Sequence, residues 1–448
     1  MFFNRIATDW GVVIALVLVN AIQCEGQPLD PASLSLEEAE FVSDRGEFVQ
    51  PLAFQSSTAI PEPIAEPVEN GIDLSGLLDL AIIQSPKLSV QRAKVGEAQM
   101  SALATGLFPN PVVEGGGKNV SGGESGLVLG INQELPINGS RTLDRQAATL
   151  RYSAERAALE REIQIALSEV ENAYISVLTA NELVAVDRRG LEVTGESLRL
   201  VSENYSAGLV SALPYGLARS EHGAARKASL VSEGNQQTAR KTLAGLLGLD
   251  EASLPNVVGD LHAPMLPPNL EIDFLQRPDL KAAGLRVQAA QSSADAARRM
   301  RIPNPTLGYQ REEADETENF FTIGMEIPVF NNGAPRVRER MAGQQVASKE
   351  KSALTQTIQS EVNVAASRLG SAREAVSIYE NEIRPSIEES LEAANVAFQS
   401  GTTDMSLLLQ TQASLIEHER NYIRTLQELR DSEIAYRLAT GAKREPVQ

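Results

Sequence analysis

The chain has 448 residues, an aromatic content of 4% and a formal net charge of −19. So few aromatic residues argue against one large conventional core and favour an elongated molecule. The acidic balance argues against nucleic acid as a partner, because phosphates require clustered lysine and arginine. One cysteine and three histidines predict neither a disulfide framework nor a structural zinc site, and we expect no cofactor.

Residues 1–23 have the layout of a secretory signal peptide, in which Arg5 precedes an apolar run from Trp10 to Val19. The run is too short for a helix that spans a membrane, although an N-terminal anchor is the alternative. Cys24 is a candidate for lipidation, but Ala21-Ile22-Gln23 before it is a poor lipidation signal. The sequence therefore predicts export from the cytoplasm.

The rest of the chain divides into a leader, two repeats, a linker and a tail. The leader is rich in proline and acidic residues and has no sustained hydrophobic period, which predicts an extended segment. The linker is also rich in proline. The predicted bounds are 24–71 for the leader, 72–250 and 275–441 for the repeats, 251–274 for the linker and 442–448 for the tail.

Four short motifs recur in the same order 192 to 194 residues further along the chain. They are Phe108-Pro109-Asn110-Pro111 with Ile302-Pro303-Asn304-Pro305, Glu134-Leu135-Pro136-Ile137 with Glu326-Ile327-Pro328-Val329, Tyr205-Ser206-Ala207-Gly208 with Phe398-Gln399-Ser400-Gly401, and Leu246-Leu247-Gly248 with Ala439-Thr440-Gly441. A constant spacing over four motifs indicates an internal duplication.

Each repeat reads as a helical stretch, two short strands, a very long helix, a turn and a second long helix. The Pro-Asn-Pro motif ends the first helical stretch, because proline removes a hydrogen-bond donor and restricts the residue before it. After the motif in the second repeat, apolar and polar residues alternate with a period of two. This pattern is typical of strands with one face exposed to water. The predicted strands are 112–119, 127–135, 306–312 and 320–327.

The long helix of the first repeat is expected from 140 to 204, where no proline interrupts the sequence. Apolar residues spaced alternately by three and four form a coiled-coil seam. The seam consists of Ile163, Ala166, Val170, Ala173, Val177, Ala180 and Val184, and of Val362, Ala365, Leu369, Ala372, Val376, Tyr379 and Ile383 in the second repeat. A second stripe at Leu167, Tyr174 and Leu178 predicts partners on two sides. Pro385 predicts a kink in the second long helix unless its neighbours absorb the lost hydrogen bond.

The four predicted strands have nearly the length that crosses a bilayer as tilted β-strands, about 9 to 11 residues. Four strands cannot close a barrel, and an open edge is not tolerated in hydrocarbon. The chain would therefore have to form a ring, with eight strands in a dimer or twelve in a trimer. Soluble hairpins at the end of a coiled coil are the alternative, and the poorly apolar first strand from Val113 to Lys118 is the weakest point of the membrane interpretation.

From about Ile72 to Gly441 the chain resembles the TolC family of outer-membrane efflux proteins. The resemblance rests on the two Pro-Asn-Pro motifs, the strand ends Glu134-Leu135-Pro136-Ile137 and Ile327-Pro328-Val329-Phe330, Arg277-Pro278-Asp279-Leu280, and the two aromatic-x-x-Gly turns. It implies a mainly α fold with a membrane β-barrel portion, in which a homotrimer combines a twelve-stranded barrel in outer-membrane lipid with a periplasmic α-barrel. It also implies a passive conduit rather than an enzyme, with a periplasmic adaptor protein and an inner-membrane pump of the resistance-nodulation-division type as partners.

The resemblance places adaptor contacts at the helix-turn-helix tips, which correspond here to Gly208, Leu209, Val210 and Ser211 and to Gly401, Thr402 and Thr403. Any helical hairpin needs glycine at such a turn, so Gly208 and Gly401 by themselves indicate the reversal and not the docking. The family's periplasmic gate corresponds to the stretch that begins at Asp404. Three copies of Asp404 would form a cation-selecting constriction, whereas a helix N-cap explains the same residue without a gate.

The sequence also leaves open other functions, the identity of the exported substrate and the role of the histidines. A secreted structural coiled-coil protein would have no lipid-facing apolar band on its strands. An outer-membrane component of type I protein secretion would share the fold, and the exported substrate, whether small molecules or metal cations, is not determined by the sequence. His222 and His418 lie at similar distances after the two tips, which is compatible with metal contact but more typical of exposed helical histidines.

Overall fold

A computed structural model of the protein describes residues 71–119, 125–266, 273–313, 317–400, 402 and 405–442. These residues belong to one compact unit. The predicted signal peptide, Cys24 and nearly all of the leader lie outside the described residues. Gly401, Thr403 and Asp404 also lie outside them.

The elements follow the predicted order in both repeats. The first repeat contains α1 (Leu74–Gln84), α2 (Pro86–Ala104), β1 (Val112–Asn119), β2 (Ser125–Glu134), α3 (Ser140–Ser206) and α4 (Ala212–Leu247). The second contains α5 (Pro278–Arg299), β3 (Pro305–Glu313), β4 (Thr317–Met325), α6 (Ala334–Ile378), a π-helical segment (Tyr379–Ile383), α7 (Arg384–Gln399) and α8 (Met405–Thr440). Short 3-10 turns occupy Glu251–Ser253 and Phe274–Gln276.

The observed bounds differ from the predicted ones by a few residues. Strand β1 has the predicted bounds. Strand β2 begins two residues earlier than predicted, and β4 begins three residues earlier than predicted. The first helical stretch is divided between α1 and α2 at Ser85, because Pro86 cannot continue the ladder of α1 and instead begins α2. Asp73 caps α1 by accepting a hydrogen bond from the amide of Gly76 at 3.0 Å.

The four strands form one antiparallel sheet in the order β1-β2-β3-β4. Leu129 of β2 pairs with Gly115 on one side and with Arg311 on the other. On β3 and β4, Tyr309 pairs with Phe321. The pairing of β2 with β3 joins the two repeats, so the duplication yields one continuous sheet.

The coiled-coil seam of α3 forms the core. Six of its seven predicted seam residues, from Ala166 to Val184, are buried, and so are Tyr174 and Leu178 of the second stripe. In the second repeat Ala365, Leu369, Ala372, Val376 and Tyr379 are buried. The α3 residues form one cluster with apolar residues of α1, α4, α6 and α8, which confirms that α3 has partners on more than one side.

The segment between the repeats is a fixed strap rather than a loose connection over residues 251–266. Leu254, Val257 and Leu261 are buried in the central cluster. Arg430 of α8 donates to the carbonyl oxygens of Leu261 at 3.0 Å and of His262 at 2.8 Å. These contacts hold the strap across the long helices.

Pro385 lies in the first turn of α7, directly after the π-helical segment. Proline at this position cannot donate to the carbonyl four residues earlier. The chain accommodates the missing bond by changing to i→i+5 pairing, and the amide of Arg384 donates to the carbonyl of Tyr379. The irregularity predicted from Pro385 is therefore present as a π-helical break.

Candidate functional site: sheet faces, sheet edges and hairpin tips

The two faces of the sheet differ in polarity. Residues paired directly across strands share a face, and the faces alternate along each strand. One face carries Val113, Leu127, Leu129, Ile131, Leu307, Tyr309, Phe321, Ile323 and Met325, with Gln133, Arg311, Glu313 and Asn319 as its polar members. The opposite face carries Glu114, Gly116, Gly130, Asn132, Thr306, Gly308, Gln310, Glu312 and Thr322, with Val112, Val128 and Phe320 as its apolar members. An apolar face beside a polar, glycine-rich face is the pattern of a barrel strand between lipid and a water-filled lumen.

The weakly apolar strand β1 fits this pattern because its neighbour covers it. Gly115 lies on the apolar face, where a Cβ atom would lie 3.2 Å from Cδ2 of Leu129. The Leu129 side chain therefore supplies apolar surface that Gly115 lacks. Strand β1, whose own sequence is poorly apolar, is thus part of the apolar band.

Both edges of the sheet have free pairing positions, because β1 pairs only with β2 and β4 only with β3. On β4 the Phe321 side chain is 84% exposed. The neighbouring helices pack side by side in the order α2-α3-α5-α6, so that α2 and α6 are the outer two. The outer helices expose Val90 on α2 and Val346 on α6. Both edges of the protomer therefore have unpaired backbone groups or exposed apolar side chains. Such edges require a neighbouring protein surface on each side.

The first hairpin tip is a tight reversal between α3 and α4. Gly208 has φ of +73°, and the amide of Leu209 donates to the carbonyl of Asn204 at 2.9 Å. Leu209 is 75% exposed and Ser211 is also exposed, whereas Val210 packs against a small cluster that contains Leu409 of α8. The predicted docking residues thus include an exposed apolar side chain at the very end of the hairpin.

Two aromatic rings brace this tip. Tyr205 and Tyr215 stack with their centroids 4.9 Å apart and their planes 1° from parallel. Leu213, two residues before Tyr215, is 77% exposed. The exposed leucines Leu209 and Leu213 therefore stand on a rigid support.

Thr402 is the one residue of the second predicted tip that the structure describes. Its amide and its hydroxyl both donate to the carbonyl of Ala397 at 3.0 Å, which ends α7. Because Asp404 lies outside the described residues, its role as a gate or as an N-cap of α8 stays a prediction.

His222 packs against α3. Nδ1 of His222 lies 3.5 Å from the hydroxyl of Thr194, and its ring faces Gly195 of α3. Across the described ranges, three or more His, Cys, Asp or Glu residues nowhere gather closely enough to hold a metal ion.

Buried ion pairs are the feature that the sequence did not reveal. Arg277 is 2% exposed and donates to Asp279 at 2.7 Å and to Glu361 at 2.9 Å. Burial alone would raise the pKa of Asp279, but the hydrogen bonds and charge of Arg277 lower it below its usual value. The pair is therefore charged in the fold.

A second buried group lies on α8, where Arg430, Glu433 and Arg437 are all nearly inaccessible to solvent. Arg430 donates to Glu433 at 2.7 Å, and Arg437 donates to Glu171 of α3. These residues continue the three-and-four spacing of Ile423 and Leu426. The signal that would have revealed them is charge at seam positions of an otherwise apolar stripe.

None of the helices in the described part of the chain is long and apolar enough to span a bilayer. The fold is that of a protomer with long helical hairpins at one end and four barrel strands at the other. This combination defines the class of channels in which helices and strands both form the wall.

The family model described as "Outer membrane efflux protein" matches residues 77–249 and 274–442. The chain belongs to this family, whose members are passive export channels of the outer membrane and not enzymes. Family membership removes the secreted structural coiled-coil protein as an interpretation.

Curated relatives and solved structures agree with this assignment. The pyoverdine export outer membrane protein OpmQ of Pseudomonas putida is 24% identical over 409 residues, which cover 82% of this chain and 86% of the relative. The cobalt-zinc-cadmium resistance protein CzcC of Cupriavidus metallidurans is 21% identical over 363 residues, with coverage of 79% and 86%. A crystal structure of CusC superposes with a TM-score of 0.73 at 21% identity, with coverage of 83% and 92%.

Proposed function

We propose that three copies of this chain form a closed outer-membrane channel with a long periplasmic tube, and that this channel is the exit of a tripartite efflux pump. The observation that carries the proposal is the sheet, with its apolar outer face, its polar inner face and two free edges. Three sheets joined edge to edge give twelve strands and remove every free edge. Members of the family act as trimers within such pumps.

The alternation of strand directions is compatible with closure. The first and last strands of the sheet run in opposite directions, so β4 of one copy can pair antiparallel with β1 of the next. Each contact uses two different edges of the same chain, and such head-to-tail contacts form rings when the rotation closes. The exposed apolar side chains of α2 and α6 extend this contact along the helices.

The hairpin tips are the surfaces proposed to meet a periplasmic adaptor protein. Leu209 and Leu213 are among the most exposed apolar residues of the described chain, although they lie in the helical part and far along the sequence from the strands. Exposed leucines on a rigid turn suit an apolar groove on a partner. The second tip at Gly401, Thr402 and Thr403 is proposed to do the same, and the inner-membrane component is proposed to be a resistance-nodulation-division pump.

The exported cargo is proposed to be small molecules or metal cations. Support comes from the relatives, one of which is named for export of pyoverdine and another for resistance to cobalt, zinc and cadmium. The net charge of −19 favours passage of cations. Type I protein secretion is the competing assignment.

A photo-crosslinking amino acid at Leu213 tests the docking surface in living cells. We expect an adduct with a periplasmic adaptor protein from Leu213 and none from Leu230, which is equally exposed on α4 but lies more than four turns from the tip. Equal adducts from both positions would contradict docking at the tip. Adducts only with the transporter of a type I secretion system would also contradict docking of an efflux-pump adaptor there.

A further inference from the structure

The two repeats meet at the end of β2 and the start of β3, in a contact that we call the inner joint. The amide of Leu135 donates to the carbonyl oxygen of Pro305 at 2.8 Å and continues the ladder between the two strands. Nδ2 of Asn304 donates to Oε1 of Glu134 at 2.7 Å. The inner joint therefore consists of Glu134 and Leu135 from the first repeat and of Asn304 and Pro305 from the second.

Each repeat carries both halves of this contact, because the same motifs occur twice. Asn110-Pro111 before β1 corresponds to Asn304-Pro305, at a spacing of 194 residues. Glu326-Ile327 after β4 corresponds to Glu134-Leu135, at a spacing of 192 residues. The strands β1 and β4 are the two edges of the sheet. They lie three strand spacings apart, about 14 Å, so these two halves cannot meet within one chain.

The ends of β2 and β4 have the same local conformation. The amide of Ile137 donates back to the carbonyl oxygen of Leu135 at 2.9 Å, and the amide of Val329 donates to that of Ile327 at 2.8 Å. The amide of Leu135 is bonded in the inner joint, whereas the amide of Ile327 donates to no carbonyl among the described residues. The end of β4 thus presents the donor that the inner joint uses at the end of β2.

The two unused halves are also more exposed than their counterparts. Asn110 is exposed, whereas Asn304 is half-buried in the inner joint. Ile327 is 75% exposed, whereas Leu135 is half-buried. A motif that is covered in one repeat and exposed at a sheet edge in the other indicates a neighbour that the single chain lacks.

We propose that Glu326 and Ile327 of one copy meet Asn110 and Pro111 of the next copy in an outer joint that repeats the bonds of the inner joint. The amide of Ile327 donates to the carbonyl oxygen of the neighbour's Pro111. Nδ2 of the neighbour's Asn110 donates to the carboxylate of Glu326. The inference rests on the proposed ring of three chains, and it adds the residues and the strand register of the contact between them.

The inner joint fixes the register of the strands in the outer joint. Glu134 of β2 pairs with Thr306 of β3, and the same spacings place Glu326 opposite Val112 of the next copy. At the next position of the ladder, Met325 lies opposite Val113. Both of these residues belong to the apolar face of the sheet. Since residues opposite each other share a face, this register continues the apolar face from one copy to the next, and a slip of one residue would interrupt it.

The two edge strands are complementary in side-chain size in this register. Ile323 and Phe321 of β4 lie opposite Gly115 and Gly117 of the neighbour's β1. In the single chain Ile323 is 80% exposed and Phe321 is 84% exposed. Large side chains opposite strand glycines cover backbone that the glycines leave open. The glycine-rich sequence of β1 therefore suits the bulky edge of β4.

Paired cysteines test the register in a Cys24→Ser background, which removes the one natural thiol. Val113→Cys with Met325→Cys places two sulfur atoms directly opposite each other across the outer joint. Val113→Cys with Ile323→Cys places them diagonally, about 7–8 Å apart, which is unfavourable for a disulfide. After mild oxidation we expect a covalent species of three chains on a non-reducing gel from the first pair and about tenfold less from the second.

Gln133→Cys with Leu307→Cys is the matched control, because these two residues pair beside the inner joint of one chain. This pair should form a disulfide within the chain and leave the covalent species at the mass of one chain. The control shows that oxidation works at an equivalent position of the sheet.

The bond between side chains is tested by charge. Asn110→Asp places a carboxylate opposite Glu326, and we expect chains to exchange between detergent-purified trimers about tenfold faster, as loss of a hydrogen bond to a charged group allows. Adding Glu326→Gln should restore most of the original rate, because the new amide can donate to the new carboxylate. Energy transfer between labelled chains measures the exchange.

Equal cross-linking by both outer pairs, or more from Val113→Cys with Ile323→Cys, would overturn the register. No cross-linking by either pair, in particles with the mass of three chains, would overturn the outer joint. Unchanged exchange in Asn110→Asp, or no recovery with Glu326→Gln, would overturn the side-chain bond. A particle that never reaches the mass of three chains would instead count against the proposed channel.

Discussion

Nη1 of Arg277 donates to the carbonyl oxygen of Ala439 at 2.8 Å. Arg277 precedes the first helix of the second repeat, and Ala439 is the second-last residue of its last helix. The bond therefore ties the start of the repeat to its end. The neighbouring Gly441, with φ of +69°, leaves room for the arginine, because a Cβ atom there would lie 2.4 Å from Cγ of Arg277.

Replacement of Arg277 should destabilise the protein strongly. Arg277→Ala would remove the bonds to Asp279 and to Ala439, while Arg161 still pairs with Asp279 at 3.6 Å. We therefore expect a loss of about 1.5–3 kcal/mol, the contribution of a hydrogen bond to a charged group. Arg286→Ala is the control, since Arg286 pairs with Glu155 at the surface, where such pairs contribute about 0–1 kcal/mol. Thermal unfolding of the purified variants measures both, and similar midpoints would contradict the role of Arg277.

Asp431 should make the stability depend on pH. Burial, with a smaller contribution from Glu428, raises its pKa from 3.8 to about 6, and its Oδ1 atom is buried without a hydrogen-bond partner. The folded state therefore favours the protonated carboxyl, so this contribution is complete below about pH 4 and is lost as the pH rises through about 6.

The variant Asp431→Asn isolates this contribution because an amide does not titrate. We expect the unaltered protein to lose stability relative to Asp431→Asn between pH 4 and pH 7, as measured by the difference in unfolding midpoints. Parallel curves for the two proteins over this range would show that the environment of Asp431 does not disfavour its charge.

The sequence predicted the fold well where a repeating pattern existed. The seam from Ala166 to Val184 follows from the helical period, and the Pro-Asn-Pro boundaries follow from the geometry of proline. The 193-residue duplication extends the same element order to the second repeat. Strand boundaries shifted by up to three residues, because pairing with a neighbour decides where a strand ends and the sequence alone does not show the partner.

The contacts between distant segments could not be predicted. Arg277 was visible only as part of a motif, and its partners Glu361 and Ala439 are 84 and 162 residues away. Gly115 adds no apolar surface of its own to a membrane strand, and its pairing with Leu129 is visible only in the folded chain. Pro385 did indicate an irregular helix, but the stacking of Tyr379 on Tyr422 depends on α8, which packs beside it only in the folded chain.

The two faces of the sheet should respond differently to charge. Ile131→Arg places a charge on the apolar face, where arginine near the middle of a bilayer costs about 2–4 kcal/mol. Asn132→Arg, at the next position of the same strand, places it on the polar face and should be tolerated. The fraction of barrel that stays folded in SDS without heating measures the effect, and equal loss in both variants would mean that the faces are wrongly assigned.

The close contact of Gly190 with Ile416 should be sensitive to size. A Cβ atom at Gly190 would lie 3.2 Å from Cδ1 of Ile416, so Gly190→Leu should overpack the α3–α8 contact and cost about 1–3 kcal/mol. A second change, Ile416→Ala, should recover part of that loss. Gly245→Ala is the control, because no atom outside its own helix lies within 4 Å of the added carbon. Thermal unfolding distinguishes the three, and a double variant no more stable than Gly190→Leu would contradict the packing account.

Conductance in a planar bilayer, measured together with the mass of the detergent-purified particle, tests whether three chains form a channel. We expect discrete conductance steps that favour cations, from a particle with the mass of three chains. A water-soluble monomer that never inserts would contradict it, and so would a trimer that inserts without conducting at any voltage.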